Sequence, residues 1–204
     1  MAEVSIKKAT MINAVSKYGK VLMNLVFTAV LSRLLSPNDY GVVAIVTVFT
    51  SFFNILADMG LGSAVVQNKE LTDDEVNDIF SYSCYQGIML AVFFCILSVP
   101  ISVFYKNNVY LSICTILSVS VLFNTLNMIP NAILMKNKRF ITVAVRNIVT
   151  TLITGGVTIL LAFLGFKYYA LVFQSVTSSF IIFLWNLKGV HLKFRFKYNR
   201  ESIN

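Results

Sequence analysis

The hydrophobic residues of this chain are gathered into six long runs that short polar segments separate. The runs cover roughly residues 11–35, 40–66, 72–104, 109–135, 141–164 and 168–187. A helix needs roughly 20 apolar residues to cross a bilayer core of about 30 Å, and each of the runs reaches that length. The pattern therefore predicts an all-α, polytopic membrane protein with about six transmembrane helices.

Polar signals mark two of the helix boundaries. Residues 36–39 (SPND) have the composition of a turn after the first run. Thr72 and Glu75 have the spacing of a capping box, in which each side chain accepts a hydrogen bond from the backbone N–H of the other residue. We therefore expect Thr72 to cap the third helix, which should end near Phe104.

The composition agrees with a lipid environment. Hydrophobic residues make up 57% of the 204 residues and charged residues 13%, whereas soluble domains average about 45–50% and about 25%. Cys84, Cys95 and Cys114 lie inside apolar runs without CxxC spacing, so neither a disulfide framework nor a zinc site is expected. No cofactor is expected either.

The basic residues predict the orientation in the membrane. With the N-terminus inside, only Arg33, Lys106 and Lys167 of the 17 Lys and Arg residues lie at outer helix ends. The positive-inside rule then places both termini in the cytoplasm. The first run lacks a small-x-small cleavage pattern, which favours a retained helix over a signal peptide. The net charge of +8 is not gathered into an aromatic-interleaved patch, so nucleic-acid binding is not expected.

The chain divides into a six-helix transmembrane domain, residues 1–187, and a basic cytoplasmic tail, residues 188–204. The tail alternates apolar and basic residues between His191 and Tyr198. That alternation is compatible with a short strand, but we favour a segment that lies along the anionic inner leaflet, where each basic residue contributes about 1 kcal/mol.

Polar residues inside the runs recur at helical spacing, and positions three and four apart share one face of a helix. The stripes are Asn13, Lys17, Lys20, Asn24 and Thr28; Thr47, Ser51, Asn54 and Asp58; Ser120, Asn124, Asn127 and Asn131; Asn147, Thr150, Thr151, Thr154 and Thr158; and Gln174, Thr177 and Ser178. Such residues can bind neighbouring helices together at roughly 0.6 kcal/mol per contact. Because that reading explains the lysines poorly, we favour a water-accessible cavity.

The charged members of these stripes lie at similar depth. At about 1.5 Å per residue, Lys17, Lys20, Asp58 and Arg146 fall in the cytoplasmic halves of their helices. If Asp58 pairs with Lys20, the remaining charges form a basic vestibule suited to an anionic headgroup such as a diphosphate. Alternatively, Lys17 and Arg146 extend to the inner lipid phosphates. No nucleophile–base pair, phosphate-binding glycine loop or metal spacing indicates an enzyme.

Two segments resemble the polysaccharide flippases of the multidrug/oligosaccharidyl-lipid/polysaccharide exporter superfamily. Residues 31–41 (LSRLLSPNDYG) resemble their first outer turn. Residues 58–67 (DMGLGSAVVQ), followed by Leu71 and Thr72, resemble the end of their second helix and the connection after it. The similarity extends over essentially the whole chain.

The resemblance implies a protein that flips undecaprenyl-diphosphate-linked oligosaccharide across the bacterial inner membrane by alternating access between two lobes of about six helices. This chain would be the N-terminal lobe, and transport would need a missing second lobe or a homodimer. The expected partners are the lipid-linked oligosaccharide and membrane lipids.

The resemblance also implies roles for the embedded residues. Lys17, Lys20 and Arg146 would engage the diphosphate; Asn24, Asn54, Asn124 and Asn127 would line the sugar path; and Asp58 would hold a coupling cation or neutralise Lys20.

Two other functions remain open. A cation-coupled multidrug exporter of the same superfamily would need acidic residues in its cavity, and Asp58 is the only embedded carboxylate. A non-transporting membrane scaffold would dock biosynthetic enzymes through the acidic segment 70–78 and the basic tail, and a dry, sealed cavity would favour it.

Overall fold

The computed structural model describes residues 6–58, 61–68, 71–190, 192 and 194, with side-chain surroundings from residue 15 onward. The described residues form seven helices and no strand. The helices are α1 Ile6–Leu34, α2 Pro37–Asp58, α3 Leu61–Gln67, α4 Asp73–Phe104, α5 Val109–Lys136, α6 Phe140–Phe163 and α7 Tyr168–Gly189. The all-α prediction is confirmed.

The second predicted run, residues 40–66, is helical over its described residues: α2 extends to Asp58 and α3 begins at Leu61. The two residues between these helices lie outside the described residues.

Both α2 and α4 begin with a capping box. At α4, the Thr72 side chain accepts from the Glu75 backbone N–H, and the Glu75 carboxylate accepts from the Thr72 backbone N–H at 2.7 Å. At α2, the Asp39 carboxylate accepts from the backbone N–H of Ser36 at 2.9 Å and from its hydroxyl at 2.7 Å. Thr72 as the N-cap is confirmed, whereas the second box had been read only as a turn.

Helix α5 lies at the centre of the bundle, because it contacts α2, α3, α4, α6 and α7. The largest apolar core joins α2, α4, α5 and α7, and it includes the fully buried Phe53, Phe94 and Val121. Helix α1 packs mainly on α6. There the Phe27 ring lies directly over Gly155, where an added Cβ would overlap it. The absence of a side chain at Gly155 therefore permits the close packing of α1 on α6.

Several helix ends meet at one end of the bundle, where the charge distribution predicts the cytoplasm. The Nζ of Lys136 donates to the backbone carbonyl of Asn68 at 2.8 Å. The Nη1 of Arg139 donates to the carbonyl of Gly189 at 3.0 Å. These bonds bring together the ends of α3, α5 and α7, and we refer to this end of the bundle as the inner end.

The surface of the bundle exposes far more large hydrophobic side chains than the surface of a soluble protein does. Phe104 is 79% exposed and Ile55 72% exposed, among many other large hydrophobic side chains. Five helices, α2, α4, α5, α6 and α7, are long and apolar enough to cross a membrane. The chain is therefore a multi-pass membrane protein. Helix α1 is long enough but is not among the five, so its crossing stays a prediction.

The described part of the tail contacts the bundle. Leu192 packs against the apolar cluster around Val65 and Ile129. The ring centroid of Phe194 lies 5.8 Å from that of Tyr85 on α4. These two residues thus contact protein side chains. Of the basic residues in the tail, Lys188 lies in the last turn of α7, and Lys193, Arg195, Lys197 and Arg200 lie outside the described residues.

Candidate functional site

An open groove at the inner end brings together polar residues from three helices. It has a volume of about 660 Å³ and lies between the last turn of α2, α3 and the second half of α5. We call it the amide groove, because most of its polar side chains carry amides. Its polar lining residues are Asn54, Asp58, Ser63, Gln67, Asn124 and Asn131.

The α2 stripe predicted from the sequence lies along two open surfaces. Asn54 and Asp58 line the amide groove. Thr47 and Ser51 line a second groove of about 720 Å³ between α2 and α7, which Gln174 shares. The polar residues of the α2 stripe therefore line open grooves, beside apolar side chains of the same helix.

Two of the predicted residues are bonded to each other inside the amide groove. The Nδ2 of Asn124 on α5 donates to the Oδ1 of Asn54 on α2 at 3.3 Å. Each amide thereby keeps one group free for further bonding, an acceptor on Asn124 and a donor on Asn54. Asp58 is the only charged residue among those that line this groove. The described lining is therefore rich in neutral hydrogen-bonding groups and carries one negative charge.

Arg146 and Asn127 lie behind the groove and do not line it. Arg146 is only 4% exposed, and its guanidinium donates to side chains of Asn131, Asn147 and Asn186. Asn127 is buried, accepts from Asn186 at 3.0 Å and donates to the Ser179 carbonyl at 2.9 Å. These side chains join α5, α6 and α7 at the inner end.

The three residues of α1 that were predicted to bind substrate lie outside the amide groove. Lys17, Lys20 and Asn24 are all exposed, on a helix that packs mainly on α6, and none of them lines the amide groove. Within the described residues, the pair envisaged between Lys20 and Asp58 is not formed. The structure thus brings Asn54, Asp58 and Asn124 together and leaves the α1 residues apart from them.

The sequence analysis did not assign a functional role to three polar residues of the amide groove and of the hydrogen-bond network behind it. Asn186 was not linked to the other polar residues of its helix, although it follows Ser179 by seven positions, two helical turns along the same face. Gln67 had been placed in a polar connection, but it ends α3 and lines the amide groove. Asn131 had been noted in a stripe without a role, and it joins the groove to Arg146.

Comparisons with known proteins agree with this picture. A membrane protein from the cps region of Klebsiella pneumoniae, itself uncharacterised, is 36% identical over 95 residues, which are 47% of this chain and 20% of the relative. The succinoglycan biosynthesis transport protein ExoT of Rhizobium meliloti is 22% identical over 169 residues, which are 83% of this chain and 34% of the relative. The chain therefore matches no more than about a third of the length of either relative. No solved structure shows significant similarity to it.

A family model described as "Polysaccharide biosynthesis protein" matches residues 30–204. That range includes the amide groove, Arg146 and its asparagine partners, and six of the seven helices in full. The match covers well over half of the chain. The chain belongs to this polysaccharide biosynthesis protein family of membrane proteins.

Proposed function

We propose that the chain forms one helical lobe of a flippase that moves undecaprenyl-diphosphate-linked oligosaccharide across the bacterial inner membrane. The observation that carries this proposal is the amide groove, an open groove to which α2, α3 and α5 contribute six polar side chains, on a bundle that exposes many large hydrophobic residues. Membership of a polysaccharide biosynthesis family and similarity to a protein named for succinoglycan transport support the same substrate class. On this proposal the chain is a transporter component rather than an enzyme.

The groove suits the sugar portion of such a substrate. Sugars present many hydroxyl groups, each of which both donates and accepts hydrogen bonds, and amide side chains offer both functions as well. Asn54 and Asn124 each keep one such group available within the groove. Asp58 adds a charged acceptor, either for a sugar hydroxyl or for a coupling cation.

The diphosphate would then be bound by the lysines of α1. Lys17 and Lys20 are exposed on a helix that contacts the bundle mainly through α6. Both would lie in the cytoplasmic half of the membrane if the termini are cytoplasmic, within reach of a lipid headgroup. Asn24, one turn further along α1, would continue the sugar path. Arg146 and Asn127 would support the groove through hydrogen bonds behind it rather than contact the substrate.

Transport by alternating access would require an opposing lobe. We propose that it is either a second lobe or a second copy of this chain, so that the exposed faces of α1 and α2 line a central path between two lobes. Membrane lipids would cover the remaining apolar surface.

One observation favours a second candidate. The described lining of the amide groove carries a single negative charge, at Asp58, and no positive one. A cation-coupled multidrug exporter of the same superfamily would use such a carboxylate to bind a cationic drug. Transport of a lipid-linked sugar and uptake of a cationic dye by the same vesicles separate the two candidates, because their substrates have opposite charge.

The test is a flipping assay in vesicles. The protein, with any lobe encoded downstream in the same reading frame, is reconstituted with a fluorescent polyprenyl-diphosphate-linked disaccharide, and dithionite bleaches only the probe in the outer leaflet. We expect wild-type vesicles to lose the protected half of the fluorescence. Asn124→Leu, which removes an amide from the groove, should slow that loss about tenfold, as expected when hydrogen bonds worth roughly 1–1.5 kcal/mol are lost.

Thr115→Leu is the matched control. Thr115 lies on the same helix, is exposed and does not line the amide groove, so this variant should flip the probe at the wild-type rate. Wild-type vesicles that behave like protein-free vesicles would contradict the proposal. Uptake of a cationic dye in place of the lipid-linked sugar would favour the exporter.

A further inference from the structure

Arg146 is a buried cation held by neutral groups. Its side chain lies on α6 near the inner end and is almost completely shielded from solvent. Its hydrogen-bond acceptors are the Oδ1 atoms of Asn131 on α5 at 3.1 Å, Asn147 on α6 at 3.0 Å and Asn186 on α7. Within the described residues no carboxylate bonds to it.

An arginine with amide partners fixes the orientation of those amides. A guanidinium has five N–H donors and no acceptor, so each asparagine must turn its oxygen towards Arg146 and its NH2 group away. The consequence is visible in α7. Asn186, with its oxygen on Arg146, directs its Nδ2 to Asn127, which in turn donates to the Ser179 carbonyl at 2.9 Å. Along this series of hydrogen bonds, from Arg146 through Asn186 and Asn127 to Ser179, every amide NH2 group points away from the guanidinium.

Asn131 is the point at which this network reaches the amide groove. It lines the groove and is half-buried, and its oxygen accepts from Nη2 of Arg146. Its NH2 group is therefore directed away from Arg146 and is available to the groove, and within the described part of the chain it has no partner. Asn147 accepts from the same Nη2 but does not line the groove.

We propose that Arg146 is a positioning residue that orients Asn131 as a hydrogen-bond donor to an oxygen acceptor of the ligand in the amide groove. The acceptor is a sugar oxygen or a phosphate oxygen of a lipid-linked glycan. The inference rests on the proposed function for the class of ligand, and it assigns Arg146 an indirect role in place of direct contact with a diphosphate.

The test compares Asn131→Asp with Asn147→Asp. Both variants place a carboxylate against the same guanidinium nitrogen, so their electrostatic effects on Arg146 are alike and both should keep the wild-type melting temperature. Only Asn131→Asp replaces a donor facing the groove by an acceptor. We measure equilibrium binding to the purified protein of fluorescent farnesyl-diphosphate-linked N-acetylglucosamine and of fluorescent farnesyl diphosphate without sugar.

We expect Asn131→Asp to weaken binding of the glycosylated probe about tenfold, whereas Asn147→Asp leaves it within about twofold of wild type. A loss confined to the glycosylated probe assigns the acceptor to the sugar, and a loss with both probes assigns it to phosphate. Equal affinities in the two variants, or no binding by the wild-type protein, would overturn the inference. If binding follows the expected pattern while vesicles show no flipping, the proposed transport fails and the inference holds.

Discussion

At the scale of single residues, the buried guanidinium of Arg146 is the most consequential group at the inner end. A charge inside a membrane protein must be paired, hydrated or hydrogen-bonded on most of its donors. Three asparagine oxygens from three different helices perform that task here. The same bonds that stabilise the charge therefore hold α5, α6 and α7 together at one level of the bundle.

Replacing Arg146 should destabilise the protein. Arg146→Met leaves three amide oxygens without their donor, and each buried polar group left unsatisfied costs about 1–3 kcal/mol. Since water can reach the half-buried Asn131, we expect a total loss of about 3 kcal/mol. That corresponds to a fall in melting temperature of roughly 6–12 °C for a chain of this size. The thermal transition can be followed through Trp185, the single tryptophan, which adjoins Asn186.

Arg139→Met is the control for that measurement. Arg139 is exposed, and its side chain donates one hydrogen bond to the Gly189 carbonyl. Exposed interactions of this kind contribute about 1 kcal/mol or less, so the melting temperature should fall by no more than about 4 °C. Equal shifts in the two variants would mean that the asparagine network adds nothing to stability.

At the scale of helices, the sequence predicted most elements well because run length and polar punctuation determine where a membrane helix begins and ends. Predicted boundaries at residues 109–135 and 141–164 differ from α5 and α6 by one residue at most. The predicted starts of α1 and α2, residues 11 and 40, lay five and three residues too late. The first residues of both helices are partly polar and do not belong to the apolar runs.

The contact between α1 and α6 depends on one glycine. An added Cβ at Gly155 would overlap the ring of Phe27, whereas at the neighbouring Gly156 it would meet nothing within 4 Å. Gly155→Leu should therefore force α1 away from α6 and lower the free energy of unfolding by about 1–3 kcal/mol. Gly156→Leu should be neutral or slightly stabilising, because leucine has the higher helix propensity.

A double variant tests whether the clash with Phe27 causes the lower stability expected of Gly155→Leu. Truncation of the ring in Phe27→Ala should make room for the new side chain, so Gly155→Leu combined with Phe27→Ala should be more stable than the sum of the two single effects. Thermal unfolding of the four proteins in detergent measures this coupling. Additive effects would show that the two residues do not press on each other.

At the scale of the whole molecule, the amide groove depends on which helices pack against each other. The residue pattern within one apolar run does not show which other helix will be its neighbour. Helical spacing identified the polar faces of α2 and α5, and the structure places those faces together at Asn54 and Asn124. The same spacing did not reveal that α1 packs on α6, which leaves Lys20 far from the position expected for a partner of Asp58. The polar face of a helix follows from the spacing of its own residues, whereas its neighbouring helices are determined by the packing of the complete bundle.

The orientation of the whole bundle decides whether the amide groove opens to the cytoplasm. The groove lies at the end that carries Lys136, Lys138 and Arg139, and positively charged connections remain cytoplasmic. Fusion of alkaline phosphatase after Asn137 should therefore give an inactive enzyme, while fusion after Asn107 in the opposite connection should be at least about tenfold more active. Green fluorescent protein at the same two positions should show the reverse pattern. High phosphatase activity after Asn137 would place the groove on the outer side, where it could release a glycan but not receive one from cytoplasmic synthesis.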